Sequence, residues 1–341
     1  MKKMIGAAVA VAVFLGLGYL ALVGYSLMGR QFNNQETEYL YVYPTDDVSR
    51  VEQKIRETAS PSCMAGFGLA AKVLGLAERM KPGRYEVSPQ MNMLTLLRRL
   101  RNHAQSPVNL VVPSVRTVQD MAGRLADKLM LDSVELASLL TDSVTVAELG
   151  YTRATVPALF VPNTYQVYWD ISATELLARM QRENEAFWTA EGRTEKAQRM
   201  GMTREEVVTL ASIVDSETAN NGEKPRIAGL YLNRLRTGMP LQSDPTVVFA
   251  VGDFTLRRIL HKHLEVDSPY NTYRRTGLPP GPIRIPSVAG IDAVLNHEEH
   301  AFLYMCAKED FSGTHNFAST YAAHQQNARR YTQALNARGI R

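Results

Sequence analysis

From Met4 to Met28 the chain carries no charged side chain. As a helix, that stretch is long enough to cross a hydrocarbon layer about 30 Å thick. A secretory signal has an apolar region of only about 7–15 residues and a small-residue cleavage site. This run is longer, and no cysteine near its end can accept a lipid. Lys2 and Lys3 precede it, whereas only Arg30 follows before Glu36 and Glu38. That asymmetry predicts a single-pass anchor, with residues 4–28 in the lipid bilayer, the N-terminus cytoplasmic and everything after it exported.

The exported part has to fold on its own, and composition says that it can. The 341 residues are 45% hydrophobic and 21% charged, enough for one large domain or two. The net charge of +4 is spread out, with no basic stripe interleaved with aromatics. Nucleic acid is therefore not an expected partner, while an acidic polymer is tolerable. Cys63 and Cys306 match no metal spacing and read as unrelated buried thiols. Neither a Walker loop nor a Gly-x-Gly-x-x-Gly turn is present, and no Gly-x-Ser-x-Gly elbow. His297-Glu298-Glu299-His300 is one residue short of a zinc helix, although histidines three apart would share a helix face. His261 and His263 alternate and would point apart in an extended segment. No metal and no cofactor are expected.

Local patterns organise the body. Tyr39–Tyr43 reads as a strand stopped by Pro44, and Thr45-Asp46-Asp47 can cap a helix carrying Val48, Val51 and Ile55. A helix around Ala65–Met80, a strand at Arg84–Val87 and a helix at Met91–Leu100 complete a small α+β unit. Further on, Val108–Val112 reads as a strand, and 118–131, 132–140 and 144–149 as helices. Residues 160–168 read as a loop leading into an aromatic strand, and Thr174–Ala190 as a long helix broken at Glu191-Gly192-Arg193. Glu223–Arg236 is a helix ended by Gly238.

The segment Met202–Ala219 stands apart. Thr203 and Glu206 form a capping box, and Val207, Leu210, Ala211 and Val214 recur at helical spacing, so one face should be buried. The helix then carries two acids. Residues two apart point about 200° away from each other, so Asp215 and Glu217 cannot act as a facing pair. Taken alone, this is an ordinary frayed helix end or a site with a single carboxylate.

Downstream, four loop-like stretches mix Pro/Gly geometry with amide, hydroxyl and aromatic groups: 241–247, 270–273, 277–283 and 314–317. Such groups suit a sugar, whose edge is polar and whose faces are apolar. Asp244 before Pro245 is either a turn cap or a second carboxylate. His315 and His324 are either hydrogen-bonded structural residues or members of a site.

In order, Leu210-Ala211-Ser212-Ile213-Val214-x-x-Glu217-Thr218, Asn233-Arg234-Leu235, Leu241-Gln242-x-Asp244-Pro245-Thr246-Val247, Tyr270-Asn271-Thr272-Tyr273, Gly277-Leu278-Pro279-Pro280-Gly281 and His315-x-Phe317 resemble the YceG-like family of MltG-type endolytic murein transglycosylases. Lys81-Pro82-Gly83-x-Tyr85 and Phe160-x-Pro162-x-Thr164-Tyr165 extend the resemblance, which covers roughly residues 39–336. It implies an α+β fold with a transmembrane anchor (1–30), a linker (31–38), a LysM-like subdomain (39–105) and a catalytic region (106–341, core about 196–336). It implies a lyase of the cell inner membrane, its body periplasmic if the cell is Gram-negative, with peptidoglycan glycan strands as substrate and peptidoglycan synthases as candidate partners.

The family often has Glu at both acid positions and uses the second. Here the first is Asp215, which the resemblance leaves at most supporting and dispensable, and the second is Glu217. As the resemblance implies, Glu217 would protonate the β-1,4 glycosidic oxygen between N-acetylmuramic acid and N-acetylglucosamine. It would then take the proton of the muramic 6-hydroxyl as that oxygen closes on C1, leaving a 1,6-anhydro end. Gln242, Asp244, Thr246, Tyr270, Asn271, Tyr273 and Asn316 are the expected substrate-binding residues. The alternatives are a muramidase-like hydrolase using Glu217 with Asp244, and a non-catalytic wall-binding scaffold.

Overall fold

Helix α1 (Lys2–Met28) begins the computed structural model, which describes residues 2–256 and 258–339. An 18-residue window in its Ile5–Met28 stretch has a mean hydropathy of 2.3, and among the described residues this is the one helix long and apolar enough to cross a membrane. Its apolar side chains stand outward, Phe14 at 81% exposure, which water disfavours by roughly 25 cal/mol per Å². Only the C-terminal turns are covered. Val23 and Ser26 are buried, and Ser26 Oγ accepts a hydrogen bond from the Gly66 amide at 2.9 Å.

The rest is a mixed α+β fold that divides into two compact units. The first runs to Leu110 and also takes in Lys128–Met130 and Gln166–Ile171. Strand β1 (Glu38–Val42) pairs antiparallel with β2 (Gly83–Val87), Leu40 opposite Tyr85. Between them lie α2 (Val48–Ala59), capped by the Asp47 carboxylate on the Arg50 amide, then α3 (Phe67–Leu74) and α4 (Leu76–Arg79). The single helix expected over 65–80 is thus two. Gly75, at φ +63°, ends α3 in the left-handed conformation that glycine adopts without a Cβ penalty. Helix α5 (Met93–Arg101) closes the unit and buries Leu96, Leu97 and Leu100. The core gathers Leu40, Val42, Val51, Ile55 and Tyr85 with these leucines. Strands β3 (Val108–Val111) and β4 (Thr164–Val167) form a second two-stranded sheet.

The second unit holds α6 (Val118–Ala126), α7 (Ser133–Thr141) and α8 (Ser143–Glu148), capped by Thr117, Asp132 and Asp142. Helix α9 (Ala173–Thr189) ends where Glu191 and Gly192 take positive φ, before α10 (Arg193–Arg199). Helix α11 (Arg204–Glu217) has the expected capping box: Thr203 Oγ1 accepts from the Glu206 amide at 3.2 Å, and Glu206 Oε2 accepts from the Thr203 amide at 2.8 Å. Its burial departs from expectation. Every residue from Val207 to Val214 is buried, not one face. Thr209 and Ser212 are tolerated there because each hydroxyl donates to a carbonyl one turn back, and Ser212 Oγ also accepts from the Ile283 amide.

Around α11 pack α12 (Lys224–Arg236), α13 (Asp244–Val251), the short α14 (His261–Leu264) and α15 (Val288–Leu295). Strands β5 (Tyr304–Ala307) and β6 (His315–Ala318) pair antiparallel, Cys306 opposite Asn316, and α16 (Tyr321–Ala337) follows. Four sequence expectations are corrected here. The 241–247 stretch is half helix, because Ser243 and Pro245 supply the N-cap and second position of α13. Residues 315–317 of the 314–317 stretch lie in strand β6 and not in a loop. His297–His300 lies after the C-cap of α15 and in no helix, so its two histidines share no helix face. Finally, α15 and α16 have no counterpart among the expected elements.

Asp215 is also corrected. Its carboxylate faces Lys224 Nζ at 2.7 Å, with side chains only 6% and 7% exposed. It accepts from the Ser287 amide and, at 3.1 Å, from the Ser287 hydroxyl. One residue thereby ties α11 to the starts of α12 and α15. A Lys at a helix N-terminus and an Asp near a C-terminus each oppose the local dipole, and pairing offsets both. Gly290 makes room for this: a Cβ there would lie 2.4 Å from Asp215 Oδ1. Far from dispensable, Asp215 is a clamp. Asp215→Ala leaves a buried ammonium unpaired and is expected to cost about 3–5 kcal/mol. Thermal unfolding measures this, and an unchanged midpoint would contradict the clamp.

Candidate active site

Glu217 is the last residue of α11, and Thr218 caps the helix in extended conformation. Because the helix is buried all round, its final turn carries this side chain into the interior, on the side opposite Asp215. Glu217 Oε1 accepts hydrogen bonds from the Tyr231 hydroxyl at 2.7 Å and the Ser243 hydroxyl at 2.5 Å. Tyr231 comes from the buried side of α12, and Ser243 caps α13. Among the described residues Oε2 has no hydrogen-bond partner.

Burial is the main influence on this carboxyl and pushes its pKa above the usual carboxylate range, with the Asp244 charge adding to the rise. The two hydroxyl donors and His315 pull the other way without reversing it. Tyr231 is driven well above its ordinary pKa, chiefly by burial and then by Glu217, so it remains a donor.

A pocket of about 210 Å³ opens on Glu217, lined by Tyr231, Arg234, Gln242, Asp244, Tyr273, the β5 residues Met305–Ala307, and His315. Arg234 holds two of its walls, donating to the carbonyls of Leu303 at 2.7 Å and Leu241 at 2.6 Å. Tyr273 donates to Asp244 Oδ1 at 2.6 Å. Gln242 sits at φ +49°, a conformation uncommon outside glycine and often found at functional sites. Its side chain is exposed into the pocket.

Of the residues expected from sequence, the pocket brings together Glu217, Gln242, Asp244 and Tyr273. It does not include Thr246, Tyr270, Asn271 or Asn316. Thr246 and Asn271 are fully buried. Thr246 Oγ1 donates to the Ser243 carbonyl, and the Thr272 hydroxyl accepts from the Ser243 amide. With its own proton so used, Thr246 must accept from Thr272 across their 2.8 Å contact, and the pair fixes Ser243 from behind. Asn271 donates to the Leu264 and Val266 carbonyls and accepts from the Tyr273 amide. Its amide thus shapes the loop that carries Tyr273. Tyr270 packs on Phe249 with ring centroids 4.7 Å apart, and Asn316 donates to Glu309.

Sequence reasoning missed Tyr231, Ser243 and Arg234. Ser243 falls at a motif position left open, and Tyr231 reads as core. The available signal was that a buried Tyr hydroxyl needs a partner. The His297–His300 segment is structural: the Phe302 amide donates to His300 Nδ1 at 3.1 Å, which leaves Nε2 to donate to the Arg226 carbonyl at 2.8 Å.

The fold and the site define a mixed α+β protein with one half-buried, donor-clamped carboxyl in a polar pocket. A family model, that of the YceG-like family, matches residues 40–330, and the chain belongs to that family. An endolytic murein transglycosylase of Bacillus subtilis is 38% identical over 130 residues, 38% of this chain and 35% of that protein. One from Streptococcus pneumoniae is 27% identical over 263 residues, 67% of this chain and 46% of its own length. The chain therefore spans less than half the length of these curated relatives. A crystal structure of a yceG-like protein from Listeria monocytogenes matches with a TM-score of 0.57 at 25% identity, covering 86% of this chain and 99% of that one.

The raised pKa has a stability consequence. The folded state holds the Glu217 proton to higher pH than the unfolded chain does. Its contribution is therefore complete below the unfolded carboxylate value and declines as pH rises through the folded one. Glu217→Gln removes that dependence. The variant's melting temperature is expected to gain on wild type as pH goes from 4 to 8; a pH-independent difference would contradict the shift.

Proposed function

We propose that this chain is a lytic transglycosylase that cleaves the β-1,4 bond between N-acetylmuramic acid and N-acetylglucosamine in peptidoglycan glycan strands. The observation that carries the reading is the state of Glu217. Two hydroxyl donors occupy Oε1, and burial pushes the carboxyl pKa above the usual carboxylate range. When the carboxyl is protonated, the proton sits on Oε2, the oxygen free to meet a ligand. A general acid working near neutral pH needs these features. The names of the Bacillus and Streptococcus relatives support the same chemistry.

Glu217 protonates the glycosidic oxygen as the C1–O4 bond breaks. The Glu217 carboxylate so formed then takes the proton of the muramic 6-hydroxyl as that oxygen closes on C1, which restores the acid, and no water is consumed. Gln242, Asp244 and Tyr273 contact the sugar from the pocket wall, and Arg234 supplies fixed positive charge. Thr246 and Asn271 act from behind, holding Ser243 and Tyr273. Tyr270 and Asn316 border the substrate's extension beyond the pocket.

In this reading residues 4–28 anchor the protein in the inner membrane with a cytoplasmic N-terminus. Residues 39–105 form a LysM-like subdomain after a linker at 31–38, and 106–341 the catalytic region. Synthases that extend the same strands are the partners that this placement favours.

Asp244 lines the same pocket as Glu217, which favours muramidase-like hydrolysis as the second reading, since a second carboxylate is what hydrolysis requires. Product mass separates the two. Full-length protein in detergent, incubated with glycan strands, is expected to give ends one water lighter than hydrolytic ends. Glu217→Gln is expected to lower the rate by about 10²-fold or more with the fold intact. Hydrated ends would overturn transglycosylation, and an active Glu217→Gln variant would overturn the assignment of the acid.

A further inference from the structure

Helix α1 and the rest of the first unit meet through a close contact at Gly66. Ser26 Oγ accepts from the Gly66 amide at 2.9 Å and donates to the Val23 carbonyl at 2.9 Å. A Cβ on Gly66 would lie 2.6 Å from Ser26 Oγ and 2.7 Å from Leu27 Cγ, so only glycine lets the chain come this near. Gly66 is the N-cap of α3, and the contact therefore sets where α3 begins against the last turn of α1. Helices α3 and α5 both pack on α1, and Leu27 packs on the core of the unit.

The depth of this contact follows from helix geometry. With Lys2 and Lys3 at one headgroup layer, about 20 residues of helix cross a hydrocarbon layer about 30 Å thick, which puts the far boundary near Gly24. Tyr25 comes next and is exposed, where an amphipathic ring suits the membrane–water interface. Val23 lies on the lipid side of that boundary and is nevertheless buried by protein. The start of α3 is thus level with the boundary. A backbone donor at that depth needs a partner within the protein, and Ser26 is that partner for Gly66.

What α3 turns outward fits the same depth. Phe67, Ala70 and Ala71 point into the core. Away from them, Leu69 is 50% exposed and Val73 77%. Four positions apart, these two side chains are neighbours on one face of the helix. Lys72 adjoins them and is exposed as well. Apolar side chains flanked by a lysine are what a helix at a lipid surface presents. The apolar groups enter the acyl boundary, and the lysine stem carries its ammonium out to the headgroup phosphates. This face also continues the outward apolar surface of α1, to which the Ser26–Gly66 bond joins it.

Resting on the reading that residues 4–28 span the membrane, we propose that α3 lies on the surface of the bilayer from which α1 emerges, with Leu69 and Val73 in the lipid and Lys72 at the headgroups. The first unit is then held against the bilayer by two elements and does not hang from α1 alone.

Spin labels on single cysteines test this, in full-length protein carrying Cys63→Ser and Cys306→Ser in nanodiscs of phosphatidylethanolamine and phosphatidylglycerol. Oxygen concentrates in lipid and a nickel chelate in water, so the ratio of their collision rates with the label reads depth. Leu15→Cys reports on α1, Val73→Cys on α3, and Gln53→Cys, exposed on α2, gives the aqueous reference. The oxygen-to-nickel ratio at Val73 is expected to be severalfold above that at Gln53 and below that at Leu15. Leu69→Cys gives a second reading on the same face, and circular dichroism checks that each variant folds. Ratios at Val73 and Leu69 equal to that at Gln53, with Leu15 still in lipid, would overturn the proposal and leave the anchor standing. A water-like ratio at Leu15 would overturn the anchor and this proposal with it.

Discussion

The two hydrogen bonds from Tyr231 and Ser243 to a single oxygen of Glu217 are the interaction on which the site depends. They come from different elements, so α11, α12 and the start of α13 must all be in register for both to form. They also solve an electrostatic problem. A carboxyl taken out of water becomes neutral unless it finds a positive partner, and here it finds hydroxyls instead. The result is a carboxyl fixed in direction, with its protonated form favoured by burial. The Thr246–Thr272 pair behind Ser243 and the buried Arg234 holding Leu241 extend the same precision to the walls.

What permits this is a helix buried on every side. Helix α11 is the centre of its unit, with α12, α13 and α15 packed around it. A core helix ending in two acids would be costly if both entered the apolar interior. The 200° between positions two apart sends one each way. Asp215 meets Lys224 and Ser287 and becomes structure, while Glu217 meets hydroxyl donors and its burial favours the protonated form. The same side-chain chemistry thus yields a clamp on one side and, in the proposed function, a proton donor on the other, and the difference is the partner.

Much of this was legible beforehand. The capping box at Thr203, the apolar run after it and the opposed directions of the acids follow from spacing alone. So does the first helix, whose outward apolar surface matches its composition. Gln242, Asp244 and Tyr273 were found through motif context and do line the pocket. What escaped depended on tertiary partners. Nothing local distinguishes Thr246, which braces Ser243, from a hydroxyl that faces a ligand. Asn271 carries the donor and acceptor that a sugar would use, yet loop carbonyls take them first. Helix α16 is long but buries no residue fully, so its pattern lacks an apolar face to read. Asp215 reads as spare until Lys224, nine positions on, is seen to fold back against it.

The central claim is that Glu217 is neutral when the pocket is open. Infrared titration of the full-length protein, with Glu217→Gln as the subtracted reference, reads it directly through the carbonyl stretch of the protonated acid. The account predicts that this band persists to pH values well above the usual carboxylate range. A band that disappears near pH 4.5, where an ordinary glutamate ionises, would contradict it.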